Sequence, residues 1–342
     1  MTLTRATDRA VAAGLALGSI ADELLGDPRR WHPVAGFGLV ATAWERRSYA
    51  DRRSAGVGHV AGLVGAAAAL GVLADRATRD RPGLRLLVAA AATWTVLGGR
   101  SLRREAGLLA GQLAADDLPA ARRQIRNLVG RDPSGLDATE LARAGVESVA
   151  ENTSDAVVAP LFWGAVAGLP GLLAYRAVNT LDAMVGHRSA RYRRFGWAAA
   201  RLDDAANWLP ARLCAGLTVL LAPAVGGSPA AAWTAWRRDA GHHPSPNAGV
   251  VEAAFAGALG VRLGGVNVYG GVVEDRGSLG GDRPVAVSDL EPAARLSLLV
   301  SVGATLVATA LVACGATGRR RRDRRGPRRS GRGPVRSRRS RA

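Results

Sequence analysis

Three acidic residues stand at successive i, i+4 positions, Glu147, Glu151 and Asp155, with Arg143 one turn ahead of them. On a helix all four share one stripe, and neighbouring like charges repel by a few tenths of a kcal/mol per pair when solvated. A cation relieves that repulsion, and Mg²⁺ bound through one or two carboxylates and substrate phosphates suits such a stripe. The spacing also fits a solvated charged face with Arg143 as its counterion. Position sets the stretch apart: "ENTSDAVVAP" leads straight into the uncharged run Ala156–Tyr175.

A second polar block reads "YRAVNTLDAMVGHRSARYRRFGWAAARLDDAANWLPARL". Asn179 and Asp182 are one turn apart, as are Asp204 and Asn207, while Asp203 and Asn207 are spaced i, i+4. With Arg176, Arg201 and Arg212 nearby, these residues suit either a site that handles anions and a metal or a juxtamembrane loop touching lipid headgroups. In a third block, "GHHPSPNAGVVEAAFAGALG", Ser245–Gly249 is a turn feeding a helix, with Ser245 or Asn247 as its cap. A helix start of this kind offers free N–H groups to a phosphate. His242 and His243 lack Cys or Glu at ligand spacing, so their zinc signal is weak. The first loop, "DELLGDPRRWHPVAGFG", adds Asp22, Glu23, Asp27 and His32.

These blocks abut apolar segments. Ser54–Ala74, Ala156–Tyr175, Leu213–Trp236 and Leu296–Gly318 contain no Asp, Glu or Arg. Each is long enough for a bilayer core of roughly 30 Å, which takes about 20 helical residues. Leu86–Gly99 is shorter, and Ala10–Ala21 reads as an uncleaved first helix rather than a signal peptide. The expected fold is all-α: a polytopic helical membrane protein with broken or re-entrant helices and polar helical loops. Residues 1–318 form a single membrane-embedded domain on this reading. Residues 100–155 are expected to be helices outside the hydrocarbon, with Asp117 capping one helix and Asp137 with Glu140 forming a capping box on the next. The Gly- and Pro-rich segment 237–292 reads mostly as loops.

Of the formal charge of +18, residues 319–342 carry thirteen Arg and one Asp, a net +12. That segment cannot bury apolar surface and is expected to be a disordered tail held at the cytoplasmic, anionic leaflet. It has no aromatic residue on which a base could stack, so no nucleic acid is expected as a partner. Cys214 and Cys314 lie in apolar runs, as small hydrophobes. The chain has no lysine, which excludes a P-loop lysine, Schiff-base chemistry and pyridoxal-phosphate catalysis.

The first-loop, second and third blocks, with "GRSL" and "LVGRDPSGLDATELARAGVESVAENTSDAVVAPLFWGAVAGLPG", occur in an order that resembles the CobD/CbiB family of cobalamin biosynthesis. The likeness covers about residues 15–275 and leaves out the Arg-rich tail. It implies a multi-pass protein of the bacterial inner (plasma) membrane that acts as an adenosylcobinamide-phosphate synthase. Such a ligase joins (R)-1-aminopropan-2-ol, or its O-phosphate, to the free carboxylate of adenosylcobyric acid. ATP and Mg²⁺ are the implied cofactors, and the corrinoid is a substrate. Membrane lipids and other membrane-bound cobalamin-assembly enzymes are the implied partners. The alternative from another class is a membrane transporter or a scaffold of a corrinoid-modifying complex.

Roles are built from the residues themselves. Glu147, Glu151, Asp155 and Asp182 are assigned to catalysis, and Glu151, Asp155, Asp203 and Asp204 to Mg²⁺. Arg176 and Arg201 are assigned to clamping phosphate or carboxylate, Asn179 and Asn207 to orientation, and Ser245 with Asn247 to seating a phosphate. Asp27 and His32 are assigned to corrinoid or nucleotide contact. Simple alternation of full spans would put the second block on the opposite side from its neighbours. The interruptions Gly168-Leu169-Pro170-Gly171 and Pro223 with Gly226-Gly227 point to broken or re-entrant segments instead.

Overall fold

A computed structural model describes residues 2–28, 32–130, 132–187, 189–269 and 272–324. Helices carry the fold: α1 (Thr2–Leu25), α2 (Pro33–Ser48), α3 (Arg53–Ala77), α4 (Pro82–Val96), α5 (Gly99–Ala114), α6 (Leu118–Gln124) and α7 (Ala138–Thr153) come first. After them come α8 (Ala159–Val185), α9 (Tyr192–Phe195), α10 (Trp197–Leu221), α11 (Pro229–Asp239), α12 (Ala248–Leu259) and α13 (Leu290–Arg324). Among the described residues, four stretches are long and apolar enough to cross a membrane: Arg53–Ala77, Ala138–Val185, Trp197–Val225 and Val287–Cys314. The all-α polytopic reading holds, with one addition. The segment 237–292 is not mainly loop, because it contains the end of α11, all of α12 and an antiparallel hairpin of β1 (Arg262–Tyr269) and β2 (Val272–Gly280). Its glycines serve the hairpin, where Gly264, Gly265, Gly277 and Gly280 all take positive φ.

Local signals in the sequence are realised where side chains can satisfy free helix-end N–H groups. Asp137 Oδ1 accepts from Glu140 N at 2.8 Å and Glu140 Oε2 accepts from Asp137 N at 2.9 Å, a reciprocal capping box. Asp117 accepts from Ala120 N at 2.9 Å. Small residues let α1 and α4 approach closely: a Cβ on Gly14 would lie 2.4 Å from that of Ala89, and one on Gly18 2.4 Å from that of Thr93.

The stretch from α7 to α8 is not one rod. A π-helical segment, Ser154–Val158, joins the two helices, and Gly168 breaks α8 with φ 64° and ψ −152°. The chain then folds back on itself. A Cβ on Gly171 would lie 2.5 Å from Trp163 O, and Tyr175 Oη donates to Asp155 O at 3.1 Å. α8 is therefore a helical hairpin whose two feet, at Asp155 and Asp182, stand at the same end. Its tip packs at the opposite end, where a Cβ on Gly71 would lie 2.5 Å from Pro170 Cα and Arg85 pairs with Asp75 at 2.9 Å.

The expected span Leu213–Trp236 is also broken. α10 ends in a 3₁₀ turn, Gly226 takes φ 77°, and α11 returns alongside α12. A Cβ on Gly257 would meet Ala231 O at 2.6 Å. Both breaks have the same physical cause: glycine close to proline leaves helical geometry at little cost.

α13 runs parallel to α7, since Leu290 packs on Gly145 and Ser297 Oγ accepts from Thr153 Oγ1 at 2.6 Å. It continues as helix through Arg324, past the expected tail boundary at Gly318, while residues 325–342 lie outside the described part. Its far end therefore lies toward the hairpin tip and away from the hairpin feet. If this bundle crosses the membrane, an inward-facing site and a cytoplasmic tail both hold only where the chain beyond Arg324 returns to the side of the hairpin feet.

Candidate functional site

The hairpin feet gather polar groups from three helices. Tyr175 Oη also donates to Asn207 Oδ1 at 2.8 Å, and Asn207 Nδ2 donates to Asp203 Oδ2 at 3.0 Å. Asn179 sits between Arg176 and Asp155, 3.5 Å from each. The charges acting on Asp155 are those of Asp203, Glu151, Asp182 and Arg176, and those acting on Asp182 are Asp204 and Glu151. Glu151, Asp155, Asp182 and Asp203 thus lie within electrostatic reach of one another, with Arg176 as the nearby cation.

Other assigned residues lie at the margin or elsewhere. Asp204 pairs with the exposed Arg201 at 3.7 Å, so Arg201 lies at the rim. Asn247 Nδ2 donates to Asp204 O at 2.8 Å and Arg212 Nη1 donates to Asn247 Oδ1 at 3.0 Å, which docks the Ser245–Asn247 turn on α10. Ser245 Oγ, rather than Asn247, accepts from Ala248 N at 3.2 Å at the start of α12. Glu147 does not join the cluster. It is buried against the β hairpin, accepting from Gly264 N at 3.0 Å and lying 3.5 Å from Arg143, which also donates to Gly264 O. The i, i+4 stripe is therefore split: Arg143 and Glu147 serve the hairpin, and Glu151 and Asp155 serve the site.

A cavity adjoins the carboxylate cluster at Arg176. About 430 Å³ in volume, it is lined by Asp27, Ser101, Arg104, Glu105, Asn152 and Arg176 among others. Burial works against the charge of Glu105, but hydrogen bonds from Arg104, Asn127 and Gln124 outweigh it and hold its pKa below the usual carboxylate value. Asp22, in the last turn of α1 and outside the four membrane-length stretches, is 4% exposed. Burial pushes its carboxyl up to about 6, assisted by Asp27 and Glu23 and opposed by the Arg100 N–H and by Arg103. His32 Nδ1 accepts from Val34 N at 3.2 Å and caps α2, with Nε2 4.0 Å from Asp27.

Among the described residues, no three His, Cys, Asp or Glu side chains converge closely enough to form a ready metal cage. The donor set still fits a hard cation. Asp203 Oδ1 and Ser154 Oγ are buried without a hydrogen-bond partner, and oxygen-only donors suit Mg²⁺ completed by substrate phosphates. Sequence reasoning missed Tyr175, Asn152 and Ser101. Tyr175 had one signal, a phenol directly before Arg176 in an otherwise apolar run.

A family model described as CobD/Cbib protein matches residues 15–297. The chain belongs to the CobD/CbiB family. It is 53% identical to cobalamin biosynthesis protein CobD of Mycobacterium tuberculosis over 302 residues, covering 88% of this chain and 96% of that one. It is 47% identical to the Geobacter metallireducens protein of that name over 257 residues, covering 73% and 80% of the two chains. The Chromobacterium violaceum protein is 45% identical over 287 residues, 82% and 90% of the chains. No solved structure matches. Membership of the CobD/CbiB family assigns the chain to cobalamin biosynthesis.

Proposed function

We propose that this protein is the amide ligase that joins (R)-1-aminopropan-2-ol or its O-phosphate to the free carboxylate of adenosylcobyric acid. The product is adenosylcobinamide or its phosphate, and ATP is consumed. The observation that carries the reading is the meeting of Glu151, Asp155, Asp182 and Asp203 with Arg176, Asn179 and Asn207 at the feet of the α8 hairpin.

A carboxylate is a poor acyl donor, so the corrinoid carboxylate first attacks the terminal phosphorus of ATP and releases ADP. The amine nitrogen then attacks the acyl phosphate, expels phosphate and loses its extra proton to a base. Arg176 is the cation suited to hold the phosphate or the corrinoid carboxylate. Asn179 links it to Asp155, and Asn207 is fixed by Tyr175 and orients Asp203. Asp155 and Asp182 are the carboxylates placed to accept the ammonium proton. Glu151, Asp155, Asp203 and Asp204 are the residues that would hold Mg²⁺, which when bound neutralises phosphate charge. The site faces the cytoplasm, where ATP is found, and the Arg-rich C-terminal segment consequently starts from the other side of the bundle.

The test is an assay of purified protein in lipid with adenosylcobyric acid, ATP and the amine, with product read by mass. Amide formation that needs all three, and is lost in Asp155→Ala and Asp182→Ala, is expected. Glu147→Gln keeps activity, because that side chain serves the β hairpin. Full activity in both Asp variants removes the site. ATP consumption without the amine favours a transporter.

A further inference from the structure

We infer that the cavity lined by Asp27 and Pro28, just beyond α1, and by α5 and α7 is the seat of the amine substrate, with Asp27 as the carboxylate that receives its ammonium. The inference rests on the ligase reading and deepens it by separating the amine from the carboxylate cluster.

The cavity holds polar groups whose hydrogen-bonding capacity is unfilled. Asp27 Oδ1 is buried without a hydrogen-bond partner, and His32 Nε2 lies 4.0 Å from it. Buried acceptors left unpaired are costly, so a site that keeps one is built for a donor from outside the chain. Asn152 sends its amide protons to Ser148, to the carbonyl at 2.9 Å and to Oγ at 3.1 Å, which leaves its carbonyl oxygen as a further acceptor. Ser101 Oγ accepts from Asp27 N at 3.4 Å and keeps its own proton to donate.

The other carboxylate of the cavity, Glu105, is already matched. Arg104 pairs with Glu105 at 2.8 Å, and Glu105 also accepts from Gln124 at 2.6 Å and Asn127 at 2.9 Å. An ammonium therefore meets one carboxylate free to bind it, that of Asp27.

Arg176 defines the far end. Its Nε is buried without a hydrogen-bond partner, while Nη1 faces Asn179 on the side of the carboxylate cluster. One guanidinium thus lines the cavity, borders the carboxylate cluster and feels the charges of both Asp27 and Asp155. The cavity therefore matches a short molecule with a primary ammonium at one end and an oxygen acceptor, either a hydroxyl or its phosphate ester, toward Arg176. At about 430 Å³ it has ample room for an amino alcohol. The arrangement keeps the amine next to the activated carboxylate without placing its positive charge among the carboxylates that serve phosphate and metal.

The test is calorimetric titration of the full-length protein in lipid nanodiscs with 1-aminopropan-2-ol, its O-phosphate, propane-1,2-diol as the amine-free control, and Mg-ATP. The two amines are expected to bind and the diol is not. The phosphate ester binds more tightly than the free alcohol if Arg176 meets the ester, and equally if it meets the hydroxyl. Asp27→Asn is expected to weaken both amines at least about tenfold and leave Mg-ATP unchanged. Asp203→Asn, at a carboxylate assigned to Mg²⁺, is expected to do the converse. Unchanged amine binding in Asp27→Asn, or equal loss of Mg-ATP, overturns the inference. Should Asp27→Asn fail to fold, Asn152→Asp supplies the decision: tighter amine binding supports the seat and unchanged binding refutes it. A wild-type protein that makes the amide, with an unaltered KM for the amine in Asp27→Asn, refutes the seat and leaves the ligase. Amine binding that depends on Asp27 without any amide formation refutes the ligase and leaves the seat.

Discussion

Tyr175 Oη lies 3.1 Å from the main-chain oxygen of Asp155, twenty residues away in sequence and on the other arm of the α8 hairpin. The same phenol lies 2.8 Å from Asn207 Oδ1 on α10. One buried hydroxyl therefore ties both feet of the hairpin to the helix that carries Asp203. Tyr175→Phe keeps the ring and removes the donor, leaving Asn207 Oδ1 without its proton. A loss of about 1–2 kcal/mol in stability is expected, because an unmade buried hydrogen bond forfeits its net value and strands its partner. Thermal melting in lipid checks the stability, and a fall in turnover larger than the change in KM shows that Asp203 has lost its orientation.

The tip of the same hairpin depends on one backbone conformation. Gly168 has φ 64° and ψ −152°, a region essentially confined to glycine. A Cβ there would sit 3.4 Å from Asp75 Oδ2, an ordinary contact, so the cost of Gly168→Ala is conformational rather than steric. That cost is about 1–3 kcal/mol. A lower melting temperature with unaltered ligand affinity in the surviving folded fraction is the expected result. Affinity lost in proportion to stability would show that the tip shapes the site.

How much of this was legible in the sequence follows from which forces are local. The Asp137–Glu140 capping box and the Asp117 cap were readable because a cap needs only a few consecutive residues. The break at Gly168-Leu169-Pro170-Gly171 was readable for the same reason. The stripe from Arg143 to Asp155 was legible as spacing, but its division between a hairpin and a site was not. That division depends on Gly264, 117 residues from Glu147 in sequence, and on the π-helical segment at Ser154–Val158. The β hairpin was missed because its glycines read as loop signals, whereas in the folded chain they supply the positive φ that strand pairing and bulges require.

Asp22 offers a pH signature. Its carboxyl titrates near 3.8 when unfolded and is pushed up to about 6 by burial in the folded protein. Between these values the folded state binds more protons than the unfolded state, so stability falls as pH rises from 3.8 to about 6 and is level above that. The penalty at neutral pH is on the order of 2 kcal/mol, since each tenfold change in proton affinity is worth about 1.4 kcal/mol and residual solvent screens part of it. Asp22→Asn keeps an acceptor for the Arg100 N–H, 3.3 Å from the carboxylate, and removes the ionisation. The variant is expected to melt above wild type at pH 7.5, with the gap narrowing toward pH 5. A stability gap that does not change with pH would contradict the assignment.

The two ends of the bundle give the last prediction. α3 leaves the site end, where a Cβ on Gly56 would meet Phe195 O, and reaches the tip end at Asp75. α4 returns from Arg85 to Gly98, whose N–H donates to Ala156 O at 3.3 Å beside the site. α13 runs the same way as the first arm of α8, so its final turns lie toward the tip. In a background with Cys214 and Cys314 replaced by serine, single cysteines at Arg79 and at Ser189 are expected to react with a membrane-impermeant maleimide from opposite sides. A cysteine appended after Ala342 is expected to share the side of Arg79. Labelling of Arg79→Cys and Ser189→Cys from one side would mean that α3 does not cross the bilayer. The terminal cysteine reacting with the Ser189→Cys group would mean that the segment beyond Arg324 turns back, and would reconcile a cytoplasmic tail with a cytoplasmic site.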